Sequence, residues 1–258
     1  MSLLFHEVVF GPVHSRRLGV SLGINLLPPD KKFCTFECIY CECGWSHDSN
    51  DTHKGLPTRD FVIQKLEEKL KDMSAREHAP DAITFAGNGE PTIHPQFPEI
   101  MDDVIRLRDQ YFPEARVTVL SNASTLHKPE VFNALKKTGD SILKLDAGTE
   151  ETFRIINNPR QNITLQSIVD KLKEFAGELI IQSLFLRGVV KGRVVDNTTE
   201  KELTQWLALL LEIQPKYVMI YPIDRPTPNN SIEKIPFNEL KAIAAKVEDA
   251  GIRTQVFY

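Results

Sequence analysis

Short apolar runs punctuate the chain at 18–26, 81–86, 116–121, 141–146, 179–186 and 217–221, with a seventh candidate at 252–257. Each is rich in Val, Ile, Leu or Phe, as a strand buried on both faces should be. Between them the period changes. Residues 59–74 set Phe61, Val62, Leu66, Leu70 and Met73 on one stripe, with Glu and Lys on the other, which predicts an amphipathic helix. Segments 98–110, 129–137, 164–175, 199–211 and 237–250 read the same way. Asn197-Thr198-Thr199 ahead of Glu202 predicts a helix start, and Gly139, Gly177 and Gly251 stand where helices should stop. Strand and helix alternate about every 35–40 residues, which implies right-handed βαβ crossovers and a parallel sheet. Six such units fall short of the eight that close a barrel. The expected fold is α/β, a partial (βα)6 barrel with a mostly parallel sheet. No linker, repeat or low-complexity stretch divides the chain, so 1–258 is expected to form a single domain. Ligands of such sheets gather at the carboxyl ends of the strands.

Composition adds exclusions. Of 258 residues, 41% are hydrophobic and 26% charged, as in a well-cored globule. Lys+Arg 31 against Asp+Glu 35 gives a net charge of −4, so no global field recruits nucleic acid. No run of about 18 apolar residues is present to span a bilayer. The first residues lack a basic segment followed by an apolar one, so a cytoplasmic location is expected. No G-x-S-x-G and no P-loop occur, which removes hydrolase and NTPase readings. The seven histidines never form H-x-x-H, so no second metal site is expected. His47 and His53 lie just beyond the cysteines and read as exposed loop histidines, and 48–52 reads as a flexible polar loop over the site.

All four cysteines fall at 34, 38, 41 and 43. A disulfide scaffold spreads its cysteines to staple distant segments, so this placement points to metal or redox chemistry in a reducing compartment. Cys34, Cys38 and Cys41 form C-x3-C-x2-C. Three thiolates on one short loop can hold three irons of a [4Fe–4S] cube and leave the fourth iron open. A structural zinc wants four closed ligands, and Cys43 sits too near Cys41 to share a tetrahedron with Cys34 and Cys38 without strain. A thioredoxin-like Cys38–Cys41 pair needs no third cysteine. Two-cluster ferredoxins use a different spacing and a distant cysteine that is absent here. The open-iron cluster fits best, with Cys43 as a bystander or a thiol behind the ligands.

At these residues the sequence resembles the radical S-adenosylmethionine (SAM) superfamily, whose loop is C-x3-C-x-aromatic-C. Cys34, Cys38, Tyr40 and Cys41 match it one by one. The resemblance implies two cofactors, a [4Fe–4S] cluster and SAM, whose amino and carboxylate groups bind the open iron. It also implies reductive cleavage of SAM to a 5′-deoxyadenosyl radical, an iron–sulfur oxidoreductase chemistry, with Tyr40 against the adenine. An outside electron donor such as flavodoxin or ferredoxin would supply the reduction.

The strand ends carry the other candidates. The strand at 81–86 runs into Gly87-Asn88-Gly89-Glu90-Pro91-Thr92, where glycines let a ligand approach the backbone and Glu90 can accept from an ammonium group. Taken alone the run also suits a simple turn. It resembles the family's GGEP motif, which grips the methionyl ammonium, with Asn88 in place of the first glycine and able to donate a contact of its own. Ser121 and Asn122 suit ribose hydroxyls, and equally a turn or helix cap. Lys144 and Asp146 share one face of their strand, where buried charges must meet ligands or each other. Gln182 needs partners in a buried strand, from a ligand or from the core. Asp224 and Arg225 could reach substrate.

GPVHSRRLG, the cysteine loop, GNGEPT, KLDAG, QSLFLRG and YPIDRP together resemble the branch of the superfamily related to the tRNA wyosine-synthesis (4-demethylwyosine synthase) enzymes. Those enzymes carry a second cluster on cysteines before the radical SAM loop. No cysteine precedes Cys34 here, so that chemistry does not carry over. The resemblance leaves tRNA as one candidate substrate, which Arg16, Arg17, Lys31 and Lys32 could meet through phosphate. A rival reading is a non-catalytic iron–sulfur or zinc protein associated with RNA, and a third is a small-molecule α/β enzyme whose cysteines serve structure only.

Overall fold

The computed structural model describes residues 3–46, 55–160 and 162–258. His47, His53 and the stretch 48–52 lie outside them. Among the described residues, ten strands and seven α-helices appear. β1 (Val9–Ser15) and β2 (Gly19–Ile24) form a hairpin, followed by α1 (Arg59–Ala75), β3 (Ala82–Phe85), a 3-10 turn (Pro91–Ile93), α2 (Phe97–Tyr111) and β4 (Arg116–Ser121). Then come α3 (Pro129–Lys136), β5 (Asp140–Lys144), α4 (Glu150–Ile156), α5 (Leu165–Lys173), β6 (Ile180–Val190) and β7 (Arg193–Asp196). The chain continues through α6 (Glu200–Ile213), β8 (Tyr217–Pro222), β9 (Ile232–Lys234), α7 (Phe237–Asp249) and β10 (Thr254–Val256).

The sheet runs β1-β2-β3-β4-β5-β6-β8-β10, parallel from β2 onward and open between β1 and β10. Six βα crossovers link its parallel strands, as the sequence pattern implies. The seventh strand candidate is β10. Side-chain alternation divides the sheet into two faces. Leu22, Ile24, Ile83, Phe85, Val117, Val119, Leu143, Ile181, Phe185, Val218 and Ile220 pack against the helices in one continuous core. On the other face, Leu18 from the β1–β2 turn closes over Ala82, Ile142, Ile180 and Met219 and makes the floor of the half-barrel.

The differences from the sequence reading have physical causes. A single strand over 18–26 becomes a hairpin whose first arm, β1, contains Gly11 and Pro12 and slips register between Phe10 and Val13. Proline is tolerated there because β1 is an edge. β6 runs past Leu186 to Val190, where short β7 and β9 pair with its extension. The helix start at Thr199 is as the sequence suggests, with its hydroxyl accepting from the Glu202 backbone N–H.

Candidate active site

The cysteine loop has little regular structure of its own and is held from two sides. On one side Phe33 pairs with the turn after β3: its N–H donates to Asn88 at 2.8 Å and its carbonyl accepts from Glu90 at 3.1 Å. This approach explains Gly89, whose φ is +140°, because a Cβ there would collide with the Phe33 carbonyl. A Cβ on Gly87 would strike the Asn25 side chain. The glycines thus serve contact between protein segments. On the other side, the end of α4 receives the loop. Glu37 and Ile39 N–H donate to the Asn158 and Ile156 carbonyls, and Arg160 N–H donates back to Thr35.

Amides reach the thiols as well. Asn122 Nδ2 donates to Cys34 Sγ at 3.5 Å and to Thr35 Oγ1 at 3.0 Å. Asn157 Nδ2 donates to Cys38 Sγ at 3.6 Å and to Asp146 Oδ2 at 2.8 Å. Asn157 Oδ1 is buried without a protein partner, which marks a place where a bound group would complete the site. The sequence reading missed Asn157. Only the Asn-Asn-Pro-Arg run after a short helical segment could have hinted at it.

Lys32 is 3% exposed, its ammonium donating to the Gly44 carbonyl at 3.2 Å with Glu37 at 3.5 Å. Burial alone would push its pKa down, but the charges of Cys41, Cys34 and Cys38 around it turn the net direction upward. Its ammonium is therefore buried within the cysteine loop and is not the phosphate contact suggested by its place beside Lys31. Burial pushes the Cys34 and Cys38 thiols up, so a bound cation has to displace their protons. The neighbouring Cys41 and Cys43 thiols act on each other, which lowers Cys41 and raises Cys43. The Cys43 thiol donates to the Gly87 carbonyl at 3.6 Å.

Among the described residues no three His, Cys, Asp or Glu side chains converge tightly enough for one ion. Soft thiols spread around a lysine, with amide donors behind them and an orphaned acceptor nearby, fit a larger body such as a cluster. Cys34, Cys38 and Cys41 could hold it.

The strand tips arrange the other candidates. Glu90 is 1% exposed and joins β3 to β4, accepting from Ser121 Oγ at 2.8 Å and from Asn122 N–H at 2.6 Å, besides Thr92. Burial raises its carboxyl pKa even against these donors. Asn88 does not turn its amide to the site: it donates to the Phe5 and Pro28 carbonyls and accepts from Phe5 N–H. Asp146 accepts from Tyr40, Lys144, Asn157 and the Leu184 N–H. Lys144 also donates to the Tyr40 hydroxyl. Burial would lower the Lys144 ammonium, but Asp146 holds it well above the usual lysine value. Burial, with the Asp146 charge behind it, raises the Tyr40 phenol. Gln182 stands apart with Arg17 and Tyr221. Asp224 and Arg225 pair with Arg16 and Glu42.

The Radical SAM superfamily description matches residues 31–195, which takes in the cysteine loop and the strand tips through β7. The chain belongs to the radical SAM superfamily. Its cofactors are accordingly a [4Fe–4S] cluster and SAM. The chain is 30% identical over 237 residues to a Brachyspira hyodysenteriae protein named GTPase Obg, covering 90% of this chain and 32% of that one. It is 30% identical over 223 residues to a UPF0026 protein of Helicobacter pylori, covering 85% and 67%. This radical SAM chain thus spans about a third of the first relative's length and two thirds of the second's. Among solved structures it resembles a radical SAM methyltransferase from Sphaerobacter thermophilus, with TM-score 0.66, 12% identity, and coverage of 92% and 66%. It also resembles archaeal TYW1, with TM-score 0.54, 11% identity, and coverage of 89% and 71%. At these identities the likeness is one of fold.

Proposed function

We propose that the chain is a radical SAM enzyme whose cluster is ligated by Cys34, Cys38 and Cys41. When bound, the reduced cluster supplies the electron that breaks a C–S bond of SAM and releases the 5′-deoxyadenosyl radical. The observation that carries the reading is the loop itself, with Cys34, Cys38 and Cys41 pinned between the β3 turn and the end of α4 and Lys32 buried against its Gly44 carbonyl. In this reading Lys32 offsets thiolate charge, and the Asn122 and Asn157 amides donate to the ligand sulfurs. Glu90 would accept from the methionyl ammonium of SAM, since its Oε2 takes one protein donor, the Asn122 N–H, and has lone-pair capacity for another. Ser121, Asn122, Asp146 and Tyr40 would hold the nucleoside. Asp146 and Lys144 fix the Tyr40 ring, so its face is presented without rotamer loss. An external flavodoxin or ferredoxin delivers the electron. Among the described residues no helix is long and apolar enough to cross a membrane.

A tRNA base is the substrate that the wyosine-branch resemblance suggests. It would need contacts beyond the Arg16, Arg17, Lys31 and Lys32 set, since Lys32 is buried and Arg16 pairs with Asp224. A small-molecule substrate is favoured. The ligand assignment is tested by anaerobic reconstitution of single variants. Cys34→Ala, Cys38→Ala and Cys41→Ala should each lose the stable cluster, because three thiolates leave no redundancy. Cys43→Ala should keep about four irons per chain. Loss of the cluster only in Cys43→Ala would overturn the assignment.

A further inference from the structure

Beside the cysteine loop lies a cavity of about 270 Å³, with Tyr40 and Cys41 on one wall and Arg17, Leu184, Tyr221 and Phe257 on the others. Two ion pairs frame it, Arg16–Asp224 and Arg225–Glu42, both at 2.8 Å. They tie the β1–β2 turn and the cysteine loop to the segment after β8. The lining therefore carries three arginines and two carboxylates, and both carboxylates are engaged. Arg17 has no carboxylate partner among the described residues.

Arg17 is nonetheless held in place. Its Nη1 donates to Gln182 Oε1 at 2.9 Å, and its guanidinium lies over the Tyr221 ring, 4.6 Å from the centroid. Gln182 is fixed in turn by the Tyr221 hydroxyl at 3.3 Å and by the Ile142 carbonyl at 3.5 Å. A guanidinium offers five N–H donors in a rigid fork matched to carboxylate and phosphate, and the Gln182 bond uses one of them. A half-buried cation without a counter-ion has lost hydration that a bound anion would replace. The net charge of the whole chain is −4, so this local excess of positive charge is a specific feature of the cavity. The volume falls just below the range of drug-sized pockets and admits a metabolite.

We propose that this cavity is the substrate site and that the substrate is a small organic anion, a carboxylate or a phosphate ester. Arg17 takes the anionic group, while the body of the molecule lies against Leu184, Tyr221 and Phe257, toward Cys41. Gln182 acts as a positioning residue for Arg17. The fate of the ligand rests on the radical SAM reading; its binding rests on Arg17 and the cavity alone.

The test is calorimetric titration of the anaerobically reconstituted protein with malonate and with inorganic phosphate, which separate the two headgroups. At least one should bind at millimolar concentration or tighter. Arg17→Gln should weaken it at least tenfold, and Arg17→Lys should fall between, with circular dichroism confirming the fold of each variant. Binding of neither anion, or equal binding by folded Arg17→Gln, would overturn the proposal. So would a tRNA transcript that binds more tightly than either anion and loses affinity in Arg17→Gln. The SAM-induced change in the wild-type cluster's EPR signal is recorded separately. If that change is absent while anion binding depends on Arg17, the radical SAM reading fails and the anion site stands. If it is present while neither anion binds, the substrate inference alone fails.

Discussion

Glu90 shows how single residues in this site serve the protein and the ligand at once. Its two oxygens collect donors from Thr92, Ser121 and Asn122, so the carboxylate clamps the tips of β3 and β4 in the geometry a cofactor would meet. Removing it strands several buried donors, and each costs about 1–3 kcal/mol where water cannot fully replace the partner. Glu90→Ala should therefore lose roughly 3 kcal/mol in urea unfolding of the cluster-free protein, and Glu90→Gln distinctly less. A folded Glu90→Ala of unchanged stability would show that these bonds contribute little. Lys32 acts through charge. Reduction adds an electron beside it, so Lys32→Met should lower the cluster potential by some tens of millivolts, read by redox titration. An unchanged or higher potential would deny Lys32 its role as counter-charge.

At the scale of elements, the β1–β2 turn does more than connect strands. Leu18 is 3% exposed and closes the apolar floor over Ala82, Ile142, Ile180 and Met219. Leu18→Ala should cost about 3 kcal/mol in thermal or urea unfolding, the usual cost of a Leu→Ala cavity that cannot collapse. A change below about 1 kcal/mol would mean the floor is open. The parallel strands and the longer helices were legible in the sequence because burial on two faces, or on one stripe, leaves a period in the residues. β1, β7, β9 and α4 left no such trace. β1 is an edge interrupted by Gly11 and Pro12, β7 and β9 are short and mostly exposed, and α4 spans seven residues. The candidate site was legible where it is a local motif, as in the cysteine loop and the turn after β3. It was illegible where chemistry depends on distant contact. Asn157 meets Cys38 across 119 residues, Gln182 meets Arg17 across 165, and Lys32 turns inward although its neighbourhood reads as a basic patch.

At the scale of the whole molecule, the open sheet brings residues from nearly the full chain to one end of the half-barrel. The loop at 33–44, the tips of β3, β4 and β5, the end of α4 and the segment after β8 meet there. No single crossover unit contains the site, which is why the chemistry belongs to the assembled fold. The central claim is that this assembly holds an open-iron [4Fe–4S] cluster that binds and reductively cleaves SAM. The most direct measurement is EPR of the anaerobically reconstituted, dithionite-reduced protein before and after SAM, followed by quantification of 5′-deoxyadenosine. The account predicts a cluster signal that changes on SAM addition, and 5′-deoxyadenosine formed in step with SAM loss. A colourless protein carrying one zinc, or a cluster signal untouched by SAM with no 5′-deoxyadenosine formed, would contradict it.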